Sequence, residues 1–354
     1  MLLLGACQRE PIKVGGAFGL SGRHYDLGIS GRDGATLAVE ELNAAGGPGG
    51  RKIELLVVDD QQDPEAARRA VRSLVDQGVV AIVGHMTSAM TEASLPVANQ
   101  AHVLLVSPTS SAMKFHGLDD WLVTLFPSTR RSADLLIERI TRVDKVRRLA
   151  VVYDLSNLAF TQSWYDRVHE VLTAAGSAVR PVTFTSGAEP SLGEVAGRAL
   201  AGRPDAVLVI ANAFDSAAIC QQLRKRDAAV RLYGTDWGFT HDAIAHGGRA
   251  LEGAIFTLKV DMENRTPAFV RFKEAYRARF SRAPDFAAVF SYEAILLLAE
   301  GLRRDATREG VRRAILGLGT FHGLQEDFHV DATGDVDRPQ LLMTIRDGLV
   351  VRPE

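Results

Sequence analysis

The chain has 354 residues, 46% hydrophobic and 24% charged, a globular composition long enough for about two domains. Its 41 basic and 43 acidic residues are well mixed and leave a net charge of -2, which gives nucleic acid no footprint; the nearest basic run, Arg224-Lys225-Arg226, reads as the solvated end of a helix. No apolar run reaches the roughly 18 residues that span a bilayer.

The first segment, Met1-Leu2-Leu3-Leu4-Gly5-Ala6-Cys7, is apolar and ends in small residues and a cysteine. It resembles the tail of a bacterial lipoprotein signal, with Leu4-Gly5-Ala6-Cys7 in the place of the lipobox. Residues 1–10 are therefore expected to be a signal remnant and Cys7 the lipid-bearing residue, the alternative being an ordinary N-terminus. The other cysteine, Cys220, lies in an apolar helical stretch and is expected in the core, so no internal disulfide is expected.

From residue 12 onward, short apolar runs alternate with helical patterns. Strands are predicted over 12–18, 53–59, 79–84, 103–107, 149–153, 182–185, 206–211 and 232–235. Between them, Ala67, Ala70, Val71, Leu74 and Val75 recur at helical spacing, as do Trp164, Val168, Val171, Leu172 and Ala175. Continuously apolar strands separated by helices imply a mainly parallel sheet covered on both faces. The alternation occurs twice, over 12–127 and 148–254, with crossings expected near Phe126-Pro127-Ser128 and Gly253-Ala254-Ile255. Two successive helices follow, near 267–280 and 286–304, and the end reads as short strands around the turn Asp331-Ala332-Thr333-Gly334-Asp335. The fold class is α/β, with two doubly wound lobes and the chain crossing several times between them. One lobe is expected to hold 11–127 and 255–329, the other 128–254 and 330–354.

Several patterns imitate catalytic or metal motifs. Ser111-Ala112-Met113-Lys114 fits S-x-x-K, but no KTG or SDN partner follows. Asp331–Asp337 has alternating acids like a calcium loop, yet lacks the glycine at the sixth position and the closing glutamate. The nine histidines show no HxxxH or HExxH spacing. Gly46-Gly47-Pro48-Gly49-Gly50 follows a helix and precedes a strand, so it reads as a turn. No nucleophile has a credible base, so no enzyme, cofactor or metal is expected.

In chain order, the motifs Gly19-Leu20-Ser21-Gly22, Gly34-Ala35-x-Leu37-Ala38-Val39-Glu40-Glu41-Leu42-Asn43, Asp59-Asp60-x-x-Asp63-Pro64, Val83-Gly84-His85, Ser107-Pro108-Thr109-Ser110-Ser111, Tyr153-Asp154, Leu251-Glu252-Gly253 and Gly334-Asp335-Val336 resemble the leucine/isoleucine/valine-binding protein family. That family supplies the substrate-binding components of branched-chain amino-acid ABC importers. The resemblance implies a type I periplasmic binding protein fold, with two Rossmann-like lobes joined by a multi-strand hinge. It also implies a periplasmic or cell-envelope location, an ABC permease as partner and a small amino-acid-like ligand held between the lobes. The membrane would be reached only through a lipid anchor. The alternative is a sensor of the same fold for amides, urea-like compounds or aromatic acids.

Thr87-Ser88 follows the third strand and opens a helix, where hydroxyls and backbone N–H groups suit a carboxylate. Ser110 and Ser111 are placed similarly after the fourth strand, though helix capping explains such residues equally. The resemblance assigns Ser88, Thr109 and Ser111 to the ligand's α-carboxylate. It assigns Asp236, at a strand end in Tyr233-Gly234-Thr235-Asp236-Trp237-Gly238, to the ammonium, a capping role being the alternative. Phe160, Phe214 and Trp237, with Tyr25 from the first loop, are candidate walls around an apolar side chain, core packing being the alternative for each. The pattern departs from the family where a disulfide is usual, since the two positions read Gln62 and Thr87. It departs again where pocket tyrosines are usual, the chain having Phe160-Thr161 and Ala213-Phe214.

Overall fold

The computed structural model describes residues 9–22, 25–188 and 190–353; Cys7 and the signal-like segment lie outside the described residues. Contacts divide the chain into two compact units. The first comprises residues up to Ser110 with Gly117–Phe126 and Asn264–Asp337, and the second Ser111–His116, Pro127–Glu263 and Arg338–Glu354.

The first unit begins with β1 (Ile12–Phe18), α1 (Tyr25–Ala44), β2 (Ile53–Asp59), α2 (Pro64–Asp76), β3 (Ala81–Gly84), α3 (Ser88–Ala101), β4 (Leu104–Ser107) and β5 (Leu122–Thr124). The strands form one parallel sheet in the order β2-β1-β3-β4-β5. β3 and β4 are buried along their whole length, which is why both read as unbroken apolar runs. α2 shows how sequence sets an element locally. Asp63 caps it by accepting from Ala66 N, Pro64 fixes the first turn, and Ala67, Ala70, Val71 and Leu74 bury one stripe. β5 is missing from the sequence reading because three residues are too few to show a period.

The second unit follows as α4 (Thr129–Glu138), β6 (Arg148–Asp154), α5 (Leu158–Ala174), β7 (Ala178–Phe184), α6 (Leu192–Leu200), β8 (Ala206–Ile210), α7 (Ala213–Arg226), β9 (Arg231–Gly234), α8 (His241–Gly247) and β10 (Ile255–Leu258). Its parallel strands stand in the order β7-β6-β8-β9-β10, the same pattern as in the first unit. β7 begins four residues before the predicted strand. Arg180 and Pro181 obscure the pattern, and Pro181 is tolerated because β7 is an edge strand. The core gathers Val207 and Val209 of β8 with Ile219, Cys220 and Leu223 of α7. Cys220 is fully buried, and burial pushes its thiol up to about 12.

The chain then returns to the first unit with α9 (Pro267–Phe280), α10 (Phe286–Arg304), α11 (Arg308–Leu316) and the hairpin β11 (Thr320–His322) and β12 (Asp327–His329). α10 is buried on nearly every side and packs on α1, where a Cβ on Gly34 would stand 2.2 Å from the Ala288 carbonyl oxygen. Only glycine permits that approach. The turn at Asp331 is closed by the Val330–Val336 bridge, and its carboxylate accepts from Thr333 N, Thr333 Oγ1 and Asp335 N. β13 (Leu341–Arg346) and β14 (Leu349–Val351) extend the second sheet antiparallel beyond β10.

Three boundaries differ from what the sequence predicts. The last crossing falls after Asp337 instead of after residue 329, because the Asp331 turn stays with the first unit. β10 pairs with β9, so the second unit runs to 263 where the alternation places the crossing at 254. Ser111 belongs with the second unit, where Thr129 N donates to its carbonyl at 2.9 Å.

Candidate functional site

In a doubly wound sheet, ligands bind outside the carboxyl ends of the strands where the strand order reverses. In the first unit that switch point lies between β1 and β3. The loop after β1 is fixed from β2: Asp59 accepts from Leu20 N at 2.8 Å, Ser21 Oγ at 2.6 Å and Gln61 N at 2.8 Å. Burial pulls the Asp59 carboxyl upward, but the bonds from Ser21, Gln61 and Leu20 outweigh it and hold it below its ordinary value.

Across the switch point, β3 ends at Gly84, whose φ of 129° and 2.1 Å approach to the Ala17 carbonyl oxygen exclude a side chain. His85 follows, fully buried, with Nδ1 2.6 Å from Asp60 Oδ2. Its Nε2 is buried without a hydrogen-bond partner. α3 then opens at Ser88, itself 2% exposed, behind the N-cap Thr87, which makes no side-chain capping bond. The first-turn N–H groups and positive end of a helix suit an anion.

The loop after β4 is stitched to this one. Ser107 Oγ donates to the His85 carbonyl at 2.8 Å and accepts from Ser110 N at 3.2 Å. Thr109 Oγ1 donates to the Met86 carbonyl, and the Ser110 and Thr91 hydroxyls share a bond of 2.7 Å. Thr109 can thus offer an anion its backbone N–H but not its hydroxyl proton, and Ser110 braces the loop onto α3. Ser111 is fully buried.

In the second unit the switch point lies between β6 and β8. Asp154, at the end of β6, accepts from Ser156 N at 2.9 Å and Ser186 N at 3.0 Å, shaping the loop that leads into α5. Phe160 in the first turn of α5 is 4% exposed and meets Trp237 edge-on, with ring centroids 5.6 Å apart. Two of the four aromatics expected to line a pocket are therefore one packed pair. Phe214 and Tyr25 are different: they are 56% and 53% exposed. Phe214 meets His246 of α8 at 6.1 Å.

Asp236 follows β9 and is 2% exposed. Its Oδ1 accepts from Trp237 N at 3.2 Å, and its Oδ2 accepts from Lys259 Nζ. Lys259 follows β10 and its side chain is fully buried. Burial pulls the lysine pKa down, and the Asp236 charge opposes that fall without cancelling it. Asp236 was expected to stand ready for a ligand ammonium; the structure places a cation of the chain there already. Among the described residues, no group of three or more His, Cys, Asp or Glu side chains is gathered as for a metal ion. Likewise, no described helix is long and apolar enough to cross a membrane.

Residues 11–348 match the model of a family described as periplasmic binding protein. The chain belongs to that family. Among its relatives is the leucine-, isoleucine-, valine-, threonine- and alanine-binding protein of Pseudomonas aeruginosa, 22% identical over 330 residues, or 92% of this chain and 87% of the relative. Among solved structures, the leucine binding protein LivK of Thermotoga maritima superposes with a TM-score of 0.86 at 21% identity, covering 97% of this chain and 98% of the other. A solute binding protein of an ABC transporter from R. palustris, solved with benzoate, also reaches 0.86 at 17% identity, covering 96% and 95%. The fold is the two-lobe type I form, and the relatives are of the Leu/Ile/Val-binding type.

Two features of this binding protein escaped the sequence reading. The Asp60–His85 pair joins residues 25 apart, and no spacing rule connects them. Lys259 carries a signal: in Ile255-Phe256-Thr257-Leu258-Lys259-Val260, one lysine stands directly after a mostly apolar strand. A cation at such a place requires a buried anion.

Proposed function

We propose that this protein is an extracytoplasmic receptor that binds a small carboxylate-bearing solute of amino-acid size and delivers it to the permease of an ABC importer. The observation that carries the reading is the first unit's switch point, where Ser88 opens α3 and the loop of Thr109 and Ser110 is braced beside it. Helix-start N–H groups and hydroxyls at the carboxyl ends of parallel strands are what a carboxylate needs. From the second unit, Ser111, Asp236, the Phe160–Trp237 pair and exposed Phe214 belong to the same proposal, as does exposed Tyr25 of the first unit. Membership of a family of solute-binding proteins supports transport over catalysis. The relatives span amino acids and benzoate in their names, so family alone supports the size of the ligand better than its class. The family name supports a periplasmic location, and lipid attachment through Cys7 completes the proposal.

A thermal-shift screen of amino acids, aliphatic acids and aromatic acids tests the reading, followed by Ser88→Ala. The expected result is stabilisation by at least one carboxylate, lost or weakened by about tenfold or more in the variant, in keeping with one charge-assisted hydrogen bond of about 1.5–3 kcal/mol. Stabilisation by neutral sugars alone would contradict it.

A further inference from the structure

The Asp236–Lys259 pair is the feature that the family reading does not absorb. Both side chains are out of solvent, and the lysine donates directly to the carboxylate. The register of β10 on β9, Ile255 opposite Tyr233 and Phe256 opposite Gly234, brings Thr257 level with Thr235. Those two threonines flank the pair in sequence, and both hydroxyls are fully buried without a hydrogen-bond partner. The second unit thus holds, at the ends of β9 and β10, the Asp236 carboxylate, the Lys259 ammonium and the two threonine hydroxyls.

A lone Asp236 would attract an ammonium. The pair does not, because Lys259 already holds that carboxylate and a ligand ammonium brought to Asp236 stands next to a like charge in a poorly solvated place. Displacing Lys259 is no remedy, since that breaks a buried charge-assisted hydrogen bond. Hydroxyls such as those of Thr235 and Thr257 can serve an oxygen acceptor, which carries no such conflict.

We infer that Lys259 sets the ligand class: by neutralising Asp236 it makes this protein a receptor for small carboxylates that carry no α-ammonium group. Specificity here is exclusion, an added repulsion against the zwitterion more than an added attraction for the acid. The inference rests on the reading that the chain binds a small carboxylate.

Matched pairs of probes separate the two claims. Isothermal titration at neutral pH compares leucine with 4-methylpentanoate, phenylalanine with 3-phenylpropanoate, and phenylglycine with phenylacetate. The expected result is that, in the pairs that bind, the acid without the amine binds at least tenfold more tightly. Equal affinities, or tighter binding of the amino acid, overturn the inference while leaving the carboxylate receptor standing. Silence with all six probes overturns both. Lys259→Met should narrow the preference within a pair by at least tenfold if the variant folds, as judged by circular dichroism. An unchanged ratio in folded Lys259→Met assigns the preference elsewhere and also overturns the inference. The wild-type comparison is decisive even if that variant does not fold.

Discussion

Replacing Lys259 with methionine keeps most of the length of the side chain and removes its charge, leaving Asp236 at 2% exposure without the lysine beside it. Breaking a buried ion pair from one side costs about 3–5 kcal/mol, because the remaining charge has lost its counter-ion. A unit of this size moves by about 2–4 °C per kcal/mol, so the melting temperature of the second unit should fall by roughly 6–20 °C. Urea or thermal unfolding followed by circular dichroism measures this. The double variant Lys259→Met/Asp236→Asn removes both charges at similar volume and should recover most of the loss, since neutral replacements of buried pairs are often close to isoenergetic. A loss below about 1 kcal/mol in the single variant, typical of surface pairs, would refute the reasoning that the pair is shielded from water.

The aromatic residues give a contrast within one chemical type. Phe160→Ala, at a buried edge-on contact with Trp237, should cost about 3–5 kcal/mol, whereas Phe214→Ala, more than half exposed, should change stability by no more than about 0.5 kcal/mol. Equal effects in urea titration would contradict the packing described. For Asp59, the carboxyl is held below its ordinary value near 3.8, so its stabilising effect is complete above that value and is lost as pH falls through the lower folded value. The difference in melting temperature between wild type and Asp59→Asn should therefore be constant from pH 7 to 5 and shrink below about pH 4. A difference that vanishes already at pH 6 would point to another group.

Much of the fold is legible because parallel strands buried on both faces leave unbroken apolar runs. β1, β2, α9 and α10 have the bounds that the sequence predicts. What was not legible depends on partners distant in the chain. β10 is four residues long, and its membership of the second sheet is decided by β9 and β13. For the same reason the unit boundary falls at 263. The site divides in the same way. Ser88 at the start of α3 follows from local pattern, because a hydroxyl after a buried strand marks a helix start. The hydroxyls of Thr109 and Ser110 are expected from sequence to face a ligand, yet their bonds go to Met86, 23 residues away, and to Thr91 of α3, 19 residues away. Asp236 was legible as an acid at a strand end, and its Lys259 counter-ion, 23 residues on, was not.

The central claim is reversible binding of one small carboxylate per chain without chemical change. Isothermal titration with the best acid from the screen, followed by mass spectrometry of the recovered small molecule, tests it directly. The account expects saturation at one equivalent, weakened in Ser88→Ala, and return of the acid unaltered. No saturable binding by any carboxylate, or recovery of a converted product, would contradict it.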